Sequence, residues 1–157
     1  MSITALGYYD SNGDGLVNSH PVAIYDDSTH NQLVSATIAS GTTDSLNQGF
    51  RVVAVSFTLA PGKYDILGFT PSGGGADNFL GKVSSATPVT GLTFVTAVGA
   101  ETGSLQFTNT GQSPENIGIF GPNFFVVSTV PEPSSFLPAV IGCACLGLAG
   151  WKRRRAV

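Results

Sequence analysis

Apolar and polar residues alternate along the first 129 residues in short runs whose period is two. Leu105 and Phe107 are interleaved with Ser104, Gln106 and Thr108, the pattern of a half-buried strand. In the longest run Val53, Val55, Phe57 and Leu59 fall on one face, while Val52 and Ala54 make the other face apolar too, which predicts a central strand. The same rule predicts strands over Ile3–Tyr9, Pro21–Tyr25, Leu33–Ile38, Phe50–Leu59, Tyr64–Thr70, Gly81–Ser84, Leu92–Val98, Ser104–Thr108 and Ile117–Val127. Clusters rich in Gly, Pro, Asn, Asp and Ser separate them, among them Ser11–Gly15, Gly41–Gly49 and Pro71–Asp77. No segment of this body sustains a 3.6-residue period, and no repeat recurs at a solenoid or propeller spacing. The expected fold is all-β: a single β-sandwich, jelly-roll-like, over residues 1–129.

The pattern changes after residue 129. Pro131 and Pro133 each fix φ and remove a backbone donor, so the chain arrives extended. Phe136 to Trp151 then runs for 16 residues without a charge. As a helix it would be roughly 24 Å long against a hydrocarbon core of about 30 Å, a span that bilayer thinning and snorkelling side chains accommodate. Lys152, Arg153, Arg154 and Arg155 follow directly, and a basic cluster of this kind stays on the cytoplasmic side. The expectation is a C-terminal transmembrane helix with the body outside the cytoplasm.

In its order of parts, Val130-Pro131-Glu132-Pro133, then an apolar helix, then a basic stop, the tail resembles the PEP-CTERM sorting signal of Gram-negative bacteria. The resemblance covers Val130–Arg155. It implies three pieces: a motif at 130–135, a membrane helix at 136–151 and a basic stop at 152–155. It also implies a partner, an exosortase (a membrane cysteine transpeptidase) that cleaves near Pro131-Glu132-Pro133. The precursor would sit in the inner membrane with its body in the periplasm, and the mature form at the cell surface or in the extracellular matrix of a biofilm. Some ice-binding proteins carry such a tail, but the tail is an address and does not specify what the body binds. More faintly, Ile3–Asp10, His20–Asp27 and Leu59–Ile66 resemble strands of small extracellular β-sandwich domains of bacterial surface proteins.

Charge and cysteine usage narrow the choices. The body holds three basic residues (Arg51, Lys63 and Lys82) against nine acidic ones, a net of −6 that disfavours nucleic acid and anionic lipid as partners. Both cysteines, Cys143 and Cys145, lie in the tail, so the body has no disulfide and no thiolate chemistry. The opening MSITALGYYD reads as a strand and not as an export signal, so the true start of the gene product is expected upstream.

Asp10-Ser11-Asn12-Gly13-Asp14-Gly15 matches the opening of a calcium loop, with oxygens at alternate positions and a glycine for the sharp turn. Position twelve is Pro21 where an EF-hand needs a bidentate Glu, so further oxygens would have to come from Asn18, from Asp26 or Asp27, or from carbonyls. The candidate calcium ligands are therefore Asp10, Asn12, Asp14 and Asp26, with a plain hairpin turn as the competing explanation. Asp26 and Asp27 would flank this loop if the first two strands pair. The only histidines, His20 and His30, sit among turn residues and are expected at the surface. The glycine-rich segment Phe69–Phe79, with Asp77 and Asn78, is a rim loop able to touch a sugar or a bare connection. No motif for a nucleophile, a metal-activated water or a phosphate cradle is present.

Three functional expectations follow. The first is a non-catalytic structural or adhesive protein of the cell surface or matrix, with extracellular polysaccharide as a possible partner. The second is a calcium-dependent carbohydrate-binding module. The third, a polysaccharide-active enzyme, needs two carboxylates across a cleft that so small a body barely affords.

Overall fold

The computed structural model describes residues 1–71, 77, 80–83, 89–93, 95, 103–108 and 118–127. The described residues are all-β without a helix, and two antiparallel sheets carry the fold. The strands are β1 (Ser2–Tyr9), β2 (His20–Asp26), β3 (Gln32–Ile38), β4 (Ser45–Asn47), β5 (Phe50–Thr58), β6 (Tyr64–Gly68), β7 (Leu80–Val83), β8 (Gly118–Phe120) and β9 (Pro122–Val126). One sheet has the order β4-β5-β1-β9 and the other β3-β2-β6, while β7 and β8 form a separate pair. The predicted tail helix at 136–151, the Pro-Glu-Pro motif and the basic cluster lie outside the described residues.

The alternation seen in the sequence becomes the core. Ile3, Leu6 and Tyr8 of β1 meet Val22 and Ile24 of β2, with Ile38 of β3 and Leu59 after β5 closing the layer. Val53, Val55 and Phe57 point into it from β5, as the period of two predicts. A register irregularity between Ile3 and Ala5 shifts the phase of β1, so that Ile3 and Leu6 both face inward. A second, smaller cluster lies on the other face of β2, where Ala23, Tyr25 and Leu67 are covered by Leu105 and Phe107.

Strand β5 lies between β4 and β1, as expected of a central strand, although β4 covers it only from Phe50 to Val52. Three expectations about the strands need correction. Residues 104–108 form no strand: Leu105 and Phe107 are half-buried because they pack onto β2 from irregular chain. The predicted strand Ile117–Val127 is divided in two at Gly121. Finally, β1 and β2 lie in different sheets and do not pair.

The residue at the break is confined to glycine by sterics. A Cβ there would stand 3.0 Å from Cζ and Oη of the buried Tyr8 ring. Gly121→Ala is therefore expected to displace Tyr8 and lower stability by about 1–3 kcal/mol, the usual cost of overpacking. Chemical denaturation of the variant beside the parent protein checks this.

Candidate functional site

One end of the two sheets collects the chemistry. The C-terminal end of β1, the starts of β2, β5 and β9 and the exit of β6 all meet there. The strand period already selects the residues: Asp10 continues the inward phase of Leu6 and Tyr8, Arg51 that of Val53 and Val55, and His20 that of Val22 and Ile24. Three ionisable groups are thereby delivered to the core, where each requires a partner.

Arg51 and Asp10 satisfy each other. Arg51 is 6% exposed and Asp10 4%, and Arg51 Nε donates to Asp10 Oδ2 at 2.8 Å. The rest of the guanidinium reaches two carbonyls, Nη2 to Gly13 at 2.7 Å and Nη1 to Asp44 at 3.1 Å. Asp10 also accepts from the backbone N–H of Gly13 and of Gly15, both at 3.0 Å. Its carboxylate is thus the internal anchor of the Asp10–Gly15 loop. Gly15 adopts φ +110°, with the carbonyl carbon of Gly41 2.9 Å from where a Cβ would be, so only glycine fits the turn.

A second buried pair stands alongside. His20 is fully buried, which overturns its expected surface position, and its Nε2 lies 2.9 Å from Oδ2 of Asp77. Its Nδ1 faces the carbonyl of Phe69 at 3.1 Å. Its ring stacks on Tyr8 with centroids 3.7 Å apart and planes within 5°. The Tyr8 hydroxyl in turn shares a hydrogen bond with Thr70 Oγ1 at 2.7 Å. Asp77 accepts from the backbone N–H of Val17 at 2.7 Å and of Asn18 at 2.8 Å. Burial works against its charge, but these two bonds and His20 outweigh burial and hold its carboxyl below the ordinary value. Burial raises the Tyr8 phenol, with the Asp77 charge adding to the effect and the Thr70 bond opposing it.

Between the two pairs lies a small polar depression, lined by Asp10, Ser11, Asn12, Asp14, Val17 and Asp77 among others. Asn12 and Asp14 are exposed there, and Asp14 makes no ion pair with the described residues. The four calcium candidates therefore separate. Asp10 lines the depression but is already bonded to Arg51 and the loop amides. Asn12 and Asp14 present free oxygens. Asp26 ends β2 at the opposite end of the sheet, six residues and about 20 Å from His20. Among the described residues no three His, Cys, Asp or Glu side chains converge as a metal site. Asp77, a candidate sugar contact in the glycine-rich segment, points inward.

At the opposite end, Asp26 organises the β2–β3 turn. Its Oδ1 accepts from Ser28 Oγ at 2.6 Å, Thr29 N at 2.8 Å and Ser28 N at 3.0 Å. The Ser28 hydroxyl, then the Thr29 amide, lower its carboxyl to about 2. His30 closes the turn at φ 59°, its ring stacked on Phe107 at 4.0 Å. Asp27 pairs with Lys63 at 3.0 Å, and burial followed by the Asp27 charge raises the neighbouring Asp65.

These features define a class: an all-β domain of two antiparallel sheets with two buried, hydrogen-bonded side-chain pairs, Asp10–Arg51 and His20–Asp77, at one end. Searches against protein-family models, curated proteins and solved structures find no match for this chain.

Three outcomes are expected. Asp10→Ala, which strands the Arg51 guanidinium, should cost about 3–5 kcal/mol with or without calcium. A double replacement by apolar residues, Asp10→Leu with Arg51→Met, should recover part of that loss; urea titrations of the three proteins measure both. The Asp26 carboxyl should titrate with a midpoint of about 2 by ¹³C NMR, and higher in Ser28→Ala. Because its folded value is depressed, its stabilisation is present above the ordinary carboxylate range and is lost as pH falls toward 2.

Proposed function

We propose that the protein is an exported surface or extracellular-matrix component with a non-catalytic, structural or adhesive role. Its body would be a single jelly-roll-like sandwich carried to the inner membrane on a C-terminal helix and processed there by an exosortase. The observation that carries this proposal is the tail sequence: Val130-Pro131-Glu132-Pro133, 16 uncharged residues, then Lys152 to Arg155. The body is consistent with it. Among the described residues, buried Asp10, Arg51, His20 and Asp77 are bonded to one another and to the backbone, which ties chain segments together and supports a structural role.

Calcium-dependent carbohydrate binding is the second reading, favoured by the exposed Asn12 and Asp14 at the polar depression. Calcium titration with thermal unfolding separates the two, since a ligand of the native state raises its stability. A shift lost in Asp14→Ala supports the binding module.

For the sorting role, the full chain expressed in an exosortase-bearing host should appear as a membrane precursor and a shorter surface or extracellular product. Replacing Pro131, Glu132 and Pro133 together by Ala should leave only the membrane precursor. Equal amounts of product from both chains would refute processing at this motif.

A further inference from the structure

We propose that His20 is held in the fold as a doubly protonated imidazolium and works as a proton-operated clasp, fastening the chain after β6 and Asp77 to the β1–β2 loop. This goes beyond the sorting role and does not depend on the tail.

The argument is one of donors and acceptors. Among the described residues, the two ring nitrogens of His20 face only acceptors, the Phe69 carbonyl at 3.1 Å and the Asp77 carboxylate at 2.9 Å. A neutral imidazole carries one N–H, so it would set a lone pair against one of these oxygens inside a fully buried site. A buried acceptor left without its donor is costly. Moving the proton to Asp77 does not resolve the conflict, because that carboxylate already accepts the amides of Val17 and Asn18, which favour its charged form. The imidazolium satisfies every group at once. The parallel face of Tyr8 at 3.7 Å adds an attraction that a neutral ring would not receive in the same measure.

Among the described residues, the charged and titratable groups around His20 are few. Tyr8 faces it from β1 and Asp77 from the segment beyond β6. The Asp10–Arg51 pair stands across the depression that Asp77 also lines, and is internally neutral. Removal of one ring proton therefore breaks either the bond to Phe69 or the bond to Asp77. In either case the ring loses the charge that attracts Asp77, which loosens the hold of Asp77 on Val17 and Asn18, beside the polar depression. The sign is the reverse of that for Asp26: the clasp stabilises the fold while both protons are bound and is lost as pH rises.

The test uses the full chain in detergent micelles, labelled with ¹⁵N-histidine. With two histidines in the sequence, the spectrum holds two imidazole systems. At pH 6, His20 should show both ring nitrogens protonated and slow exchange with water. As pH is raised to 9, loss of that state should coincide with loss of hydrogen-exchange protection at the Val17 and Asn18 amides. A single-proton tautomer of His20 at every pH from 5 to 9 would overturn the proposal, as would unchanged amide protection while His20 titrates. In His20→Gln the fall in melting temperature with rising pH should be smaller than in the parent. The parent spectrum decides the protonation state even when that variant does not fold.

Discussion

The guanidinium of Arg51 is the group around which one end of this protein is built. It is permanently charged and cut off from water, so its desolvation has to be offset by acceptors in fixed positions. Asp10 supplies the counter-charge and Gly13 and Asp44 supply carbonyls, and these residues come from two loops far apart in sequence. The shape of the Asp10–Gly15 loop follows from that requirement. Its first carboxylate turns inward to Arg51 and gathers the Gly13 and Gly15 amides, and the remaining polar atoms at Asn12 and Asp14 are left facing outward.

His20 and Asp77 repeat the solution a short distance away with a weaker base. The two pairs bring the β1–β2 loop, the exit of β6 and the start of β5 to one place without a disulfide, since the body has no cysteine. The opposite end uses a local device: Asp26 binds Ser28 and Thr29, two and three residues away. Its charge stays at the surface and holds a single turn. One end of the body thus depends on long-range ionic closure and the other on a self-contained turn.

Much of the strand layout was legible in the sequence, because a half-buried strand has to alternate. Val53, Val55 and Phe57 face the core as the period requires, and β2, β3 and β6 fall close to their expected bounds. The same alternation carried a signal that was missed: Asp10, His20 and Arg51 each share the phase of the buried residues beside them. A charge in phase with a core face needs a buried partner, so the sequence itself points to buried pairs at these positions. By contrast, Leu105 and Phe107 alternate like a strand without being one. Alternation records which side chains are buried, and irregular chain lying on a sheet can bury every second residue without any ladder.

The sequence by itself determined the all-β class, the composition and charge of the body, and the order of motif, apolar stretch and basic run in its tail, since these depend on local periodicity and on residue type. Only the tertiary structure decided which strands are neighbours and that β1 and β2 belong to different sheets, while the length of β2 sets Asp26 far from the Asp10–Gly15 loop. It alone decided that Arg51 answers Asp10 and that Asp77 answers His20. Those pairs are separated by 41 and 57 residues, and no local preference of the chain encodes which of nine acids will close on which buried basic side chain.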